Sequence, residues 1–115
     1  MKCAAALALL VLSAPAAAIW PFGPSDADEC IQEYAVEAAE RRLVGAAVSA
    51  CRRAFDDAVN PVHRKAALCL AKRIPDMKSA AAFGFAREKC DADAGVTECR
   101  WPQVADSTTN RCKPV

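Results

Sequence analysis

The 115-residue sequence lacks most of the features that mark enzymes and nucleic-acid-binding proteins. It has a single histidine and none of the glycine-rich, P-loop, G-x-S-x-G or HExxH motifs. Fifteen basic against fourteen acidic side chains give a net charge of only +1, which argues against nucleic acid as a partner. Aromatic residues make up only 6% of the chain, so alanine carries much of the 54% hydrophobic share. This length and composition predict one small domain.

Long apolar runs are also lacking, apart from one at the N-terminus. Met1-Lys2 precedes an apolar run over residues 3–12, and the small residues Ala16 and Ala18 follow it. This pattern is typical of a secretory signal peptide, so we predict that residues 1–18 are removed. The run is shorter than the roughly 20 residues of a membrane span, and no anchor is expected after cleavage. The protein is therefore expected to be exported, either periplasmic or secreted.

Cysteine is abundant, with seven residues. An odd number cannot pair completely in disulfides within a short exported chain. The predicted cleavage removes Cys3 and leaves an even set of six: Cys30, Cys51, Cys69, Cys90, Cys99 and Cys112. The closely spaced C-x-x-C pairs of zinc and redox sites are absent. The sequence therefore predicts three structural disulfides, with no metal and no cofactor.

The first four of these cysteines indicate an internal repeat. The members of each pair are 21 positions apart, and Gly45 and Gly84 each follow the first cysteine of their pair by fifteen positions. We predict two copies of one unit, about residues 27–58 and 61–94, within a helical domain of residues 19–95. Because glycine is costly inside a helix, both glycines are expected to mark the close approach of a neighbouring helix.

The predicted fold class is all-α, because no alternating strand pattern occurs and helix signals recur. Asn60-Pro61 combines a capping residue with proline at the first helical position, and Pro75 ends that helix. Gly95 is a suitable residue for the end of the last helix. In the first unit, apolar residues recur at helical steps and predict a buried stripe: Val44, Val48, Cys51, Phe55 and Val59.

Two disulfide pairings are compatible with these helices. In the favoured one, two helical hairpins lie in tandem and each is closed by its own bond, Cys30–Cys51 and Cys69–Cys90. In the alternative, one long hairpin carries nested bonds, Cys30–Cys90 and Cys51–Cys69. Pro75 lies near the middle of the second unit, where a separate hairpin needs its turn, and this favours the tandem arrangement.

The two remaining cysteines, Cys99 and Cys112, then pair and close a loop-rich C-terminal tail of residues 96–115. Three aromatic residues beside prolines are candidate contacts with a partner: Trp20, Phe22 and Trp101. The alternative, which we favour, is that these side chains cover a small core. His63 has no second histidine or paired acid nearby and is expected at the surface.

The charges are segregated although their sum is close to zero. Residues 19–60 hold eight acids and four bases, whereas residues 61–90 hold two acids and seven bases. The favoured interpretation is that the two blocks attract each other and pack together. The other is that the second block presents a basic face to an anionic partner.

The tracts Glu29-Cys30-Ile31 and Ala50-Cys51-Arg52, with Phe55, resemble the helical segments of small exported bacterial proteins with repeated Cys-x20-Cys spacing. The resemblance covers residues 29–90 and implies no particular activity. No catalytic residues are predicted. We expect a non-catalytic binding or interaction module of the cell envelope or secreted fraction, with a protein as its partner. The alternatives are a secreted toxin or effector, and an enzyme with an unrecognised site.

Overall fold

The structure is a computed structural model that describes residues 23–115, so the predicted signal peptide, Trp20 and Phe22 lie outside the described residues. Most of the described chain up to Ala94 is helical. The helices are α1 (Ala27–Cys30), which continues as a π-helical segment (Ile31–Ala35), α2 (Arg41–Ala54), α3 (Pro61–Arg73) and α4 (Phe83–Ala94). Two short 3-10 segments, Ile74–Asp76 and Ala80–Ala82, connect α3 to α4. None of the helices described in residues 23–115 has the length and apolar character needed to cross a membrane.

A short antiparallel β-hairpin follows the helices and corrects the all-α prediction. Strand β1 (Gln103–Ala105) pairs with β2 (Cys112–Pro114), and Val104 lies opposite Lys113. Strands of three residues are too short to show the alternation of apolar and polar side chains from which strands are predicted. The hairpin therefore lies in the tail that the sequence indicated only as loop-rich.

The predicted helix ends at Asn60 and Gly95 are confirmed. The Asn60 side chain accepts a hydrogen bond from the backbone N–H of Val62 at 2.9 Å, and Pro61 is the first residue of α3. Gly95 follows α4 with φ of 91°, a left-handed conformation that glycine adopts without steric cost. Each of these helix ends is defined by one or two residues at the end itself, which is why the sequence alone indicates them.

Three disulfides cross-link the described chain. Cys30–Cys51 joins α1 to α2, Cys69–Cys90 joins α3 to α4, and Cys99–Cys112 closes the tail. These are the pairs of the favoured prediction, not the nested ones. Cys30 reaches Cys51 because the helix breaks at residues 36–40, where no Gly, Pro or Asn marks a turn.

The helices of the two predicted units pack against each other. The most extensive helix–helix contact is between α2 and α3, across the boundary of the two predicted units, and α3 also packs against α4. Helix α3 therefore lies between α2 and α4 in one continuous helical layer. The predicted tandem of distinct hairpins is not confirmed as an architecture, because the units share their largest interface.

The core is small and rich in alanine. Its largest fully buried side chains are Leu43 and Ile74, followed by three disulfide cysteines. On α2 the buried residues are Leu43, Ala47, Ala50, Cys51 and Ala54. Of the predicted stripe, Cys51 is fully buried, Val48 and Phe55 are partly buried against the core, and Val44 is 38% exposed. The buried face is therefore centred about one position earlier than predicted. Alanines at the contact let α3 approach closely, since the distance between helices depends on the side chains between them.

Gly45 and Gly84 do not mark the close approach of another helix. Both are exposed, and a Cβ atom added to either would have no neighbouring atom within 4 Å. That prediction is wrong. The matching glycines thus have no shared packing role, and the internal repeat stays a prediction from the sequence.

Candidate binding surface

One asparagine holds the C-terminal hairpin against the end of α4. Asn110 has φ of 56°, in the left-handed region that asparagine tolerates better than most residues. Its Oδ1 accepts a hydrogen bond from the Thr97 N–H at 3.0 Å, and its Nδ2 donates to the Gly95 carbonyl at 3.2 Å. Its backbone carbonyl accepts a bond from the Thr97 hydroxyl at 2.6 Å. Asn110 therefore joins the hairpin to the segment that leaves α4.

His63 extends this anchor to α3. It is only 7% exposed, so the prediction of a surface histidine is wrong. Its Nε2 lies 2.9 Å from Asn110 Oδ1. Because Asn110 Nδ2 already donates to a carbonyl, Oδ1 is the acceptor, and His63 Nε2 carries the hydrogen. In addition, the Asn60 N–H donates to the Ser107 carbonyl at 2.8 Å. The single histidine thus has a structural role.

Asp106 stabilises the turn of the hairpin. Its carboxylate accepts a hydrogen bond from the Thr108 N–H at 2.7 Å and lies 3.6 Å from Lys113 Nζ. The Thr108 hydrogen bond, with help from the Lys113 charge, lowers the pKa of Asp106 against an opposing effect of desolvation. Since the folded-state pKa lies below the unfolded value, this stabilisation is present above the ordinary carboxyl pKa. It is lost as the pH falls through the folded-state pKa.

Trp101 lies on the loop that leads into the hairpin and is 91% exposed. It does not cover the helical core, so for this residue the favoured interpretation as a core cover is wrong. The hairpin contacts the helices through Asn60, His63 and Asn110, which leaves the Trp101 loop facing solvent. Cys99, two residues before Trp101, is disulfide-bonded, and the Gln103 N–H donates to the Arg100 carbonyl at 2.8 Å. The exposed indole is therefore carried by a constrained segment.

A cleft of about 930 Å³ lies between the hairpin and the helices. It is lined by Ala66, Ala67 and Leu70 of α3, all at most 8% exposed. Arg53 of α2 and Arg87 of α4 also line it. Within residues 23–115, no group of three or more His, Cys, Asp or Glu side chains is placed to hold a metal ion. The cleft offers charged and hydroxyl groups for binding.

Comparison with known proteins identified no relative of this chain. No protein-family model matches it, and neither the curated proteins nor the solved structures contain a match.

The sequence indicated Trp101 but not the residue that positions its hairpin. Asn110 ends a polar run, Asp106-Ser107-Thr108-Thr109-Asn110, whose composition indicates only a loop. The tolerance of asparagine for positive φ was the one available signal for a tight turn there. Its bonds to Gly95, Thr97 and His63 depend on long-range packing, which no local pattern indicates.

We expect Asn110→Ala to loosen the hairpin, because it leaves His63 Nε2 and the Thr97 N–H without their acceptor. The free energy of unfolding should fall by about 1–3 kcal/mol. Amides of residues 103–114 should exchange with deuterium faster, as measured by hydrogen exchange. Asn110→Gly keeps the left-handed backbone and should show most of the same loss if the side-chain bonds dominate. Unchanged exchange in Asn110→Ala would contradict this account of the anchor.

Proposed function

We propose that this protein is an exported, non-catalytic binding module of the cell envelope or secreted fraction, and that Trp101 contacts its protein partner. The observation that carries the proposal is the 91% exposure of Trp101 on a segment constrained by a disulfide and an anchored hairpin. Tryptophan is enriched among the residues that dominate binding energy. A constrained segment also loses less conformational entropy on binding.

Three disulfides support an oxidising, extracytoplasmic compartment. Cys30, Cys51 and Cys90 are fully buried and therefore shielded from soluble thiols. Removal of residues 1–18 during export is part of the same proposal. A small alanine-rich core gains much of its stability from such bonds, which suits a protein that works outside the cytoplasm.

The role of Trp101 is tested by comparing three immobilised proteins in an envelope extract of the source organism: the parent, Trp101→Ala and Val115→Ala. Val115 is a matched control, because it is 88% exposed and belongs to the same tail. We expect Trp101→Ala to retain a specific protein at least about tenfold less than the parent, as for a binding hot spot. Val115→Ala should behave like the parent. Equal retention by all three would refute the proposed contact.

A further inference from the structure

The acidic and basic blocks of the sequence do not neutralise each other within the described chain. Among residues 23–115 there are two ion pairs, Arg64–Asp57 at 3.9 Å and Lys113–Asp106 at 3.6 Å. Only the first joins the two blocks, and the Asp57 side chain is fully exposed there. Exposed pairs of this kind contribute little to stability. Direct ion pairs within the described chain therefore do not account for the segregation of charge.

The acidic charge is concentrated at the start of the described chain. Residues 23–40 carry six acids and no base: Asp26, Asp28, Glu29, Glu33, Glu37 and Glu40. We call residues 33–40 the acidic turn, since they include the break between the first helical segment and α2. Val36 in this turn is 74% exposed, although it is a large apolar side chain with acids on either side in sequence. The acidic turn thus combines negative charge with an unburied apolar side chain.

A groove of the opposite character lies beside the acidic turn. It has a volume of about 670 Å³, and we call it the basic groove; its lining comprises Arg73, Asp76, Met77, Lys78, Ser79, Ala82, Phe85 and Ala86. Phe85 is 78% exposed. Neither Arg73 nor Lys78 forms an ion pair with any residue of the described chain. The groove therefore presents an exposed aromatic side chain with two cations and one carboxylate, Asp76, and none of these three charged groups forms an ion pair within the described chain.

The two patches are neighbours in the structure. The carboxylate of Glu40, in the acidic turn, accepts a hydrogen bond from the Ala80 N–H at 3.2 Å. Ala80 follows Ser79, which lines the basic groove. Ala38 packs against the same buried cluster as Ala80. One face of the molecule therefore carries a negative apolar patch directly beside a positive apolar patch.

We propose that this face binds a second copy of the chain in a symmetric dimer. A two-fold rotation brings the acidic turn of each copy opposite the basic groove of the other, which makes the face complementary to itself. Glu33 and Glu37 then oppose Arg73 and Lys78, and this charge complementarity sets the orientation of the two copies. Val36 and Phe85 provide the apolar contact.

The test is sedimentation equilibrium of the disulfide-bonded protein at low and high salt. The parent should dimerise, and the dimer should weaken as salt screens the charges. Lys78→Glu and Glu37→Lys should each raise the dimer dissociation constant at least about tenfold. The double variant Lys78→Glu/Glu37→Lys should regain the dimer, because each patch again meets its opposite charge. Lys65→Glu is the matched control, since Lys65 is exposed and does not line the groove.

Far-UV circular dichroism and the thermal midpoint of each variant separate loss of the dimer from loss of the fold. Phe85→Ser should also dissociate the dimer without unfolding the protein. Trp101→Ala should dimerise like the parent, because Trp101 does not line the groove; this separates the dimer from the proposed partner contact. A parent protein that stays monomeric at millimolar concentration and low salt would overturn the proposal. This holds even if the basic groove bound an acidic peptide such as polyglutamate, because the occupant would then not be a second copy of the chain. A dimer that is insensitive to both single reversals would overturn it as well.

Discussion

Replacing Cys30 and Cys51 together by alanine is expected to lower the free energy of unfolding by about 3 kcal/mol. The bond closes a loop between residues 21 positions apart, and the chain-entropy estimate for such a loop has this size. Domains are usually stable by only about 5–15 kcal/mol, so the loss is large. Helix α1 has only four residues and a five-residue π-helical extension, and the Cys30–Cys51 bond is its one disulfide link to α2. We therefore expect residues 27–35 to detach from α2 first.

Urea denaturation followed by far-UV circular dichroism measures this effect, and hydrogen exchange over residues 27–35 locates it. The matched control is the double replacement of Cys99 and Cys112 by alanine. That bond closes the tail outside the helical layer, so its loss should free the hairpin with a smaller effect on the helices. If both double variants lowered the helical stability equally, the Cys30–Cys51 bond would not have the particular role proposed for it.

Leu43→Ala is expected to lower the free energy of unfolding by about 2–5 kcal/mol. Leu43 is 1% exposed and belongs to the buried cluster that contains Ile74 and Met77. Its neighbours on α2 include Ala47, which is too small to fill the space that the leucine side chain leaves. The expected loss is therefore made up of the lost burial of the leucine and the cost of a cavity.

Val44→Ala is the matched control for this substitution, because Val44 is the next residue on the same helix and is 38% exposed. It should lower the free energy of unfolding by less than about 1 kcal/mol, the usual size for partly exposed positions. Urea denaturation of both variants measures the difference. A result in which Val44→Ala is as damaging as Leu43→Ala would restore the predicted stripe and place the buried face of α2 one position further on.

The features that the sequence predicted correctly depend on short stretches of chain. Asn60 and Pro61 define the start of α3 wherever that helix lies, and Gly95 permits a left-handed turn by itself. The break at residues 36–40 carries no such residues. A bond between Cys30 and Cys51 nevertheless requires such a break, because the two residues are too far apart on a continuous helix to bond. A covalent constraint thus revealed a turn that local propensity did not.

The candidate binding surface was predictable only in part, because exposure depends on which elements pack together. The sequence identified Trp101 as a possible contact, yet it favoured a role in covering the core. The bonds of Asn110 to the end of α4 and to His63 turn the hairpin so that the indole faces solvent. The sequence did not indicate Phe85 as an exposed contact residue, since a phenylalanine in a helix is more often buried than exposed.

The sequence by itself determined the helix ends at Asn60 and Gly95, the positions of the cysteines and the uneven distribution of charge, because each follows from residue type and spacing along the chain. Tertiary structure decided which face of α2 is buried, where His63 lies and which aromatic side chains remain exposed. The physical reason is that alanine-rich helices offer several faces of similar apolarity. Close packing against α3, the disulfides and the hydrogen bonds of Asn110 select one of these faces, and those contacts join residues that are far apart in sequence.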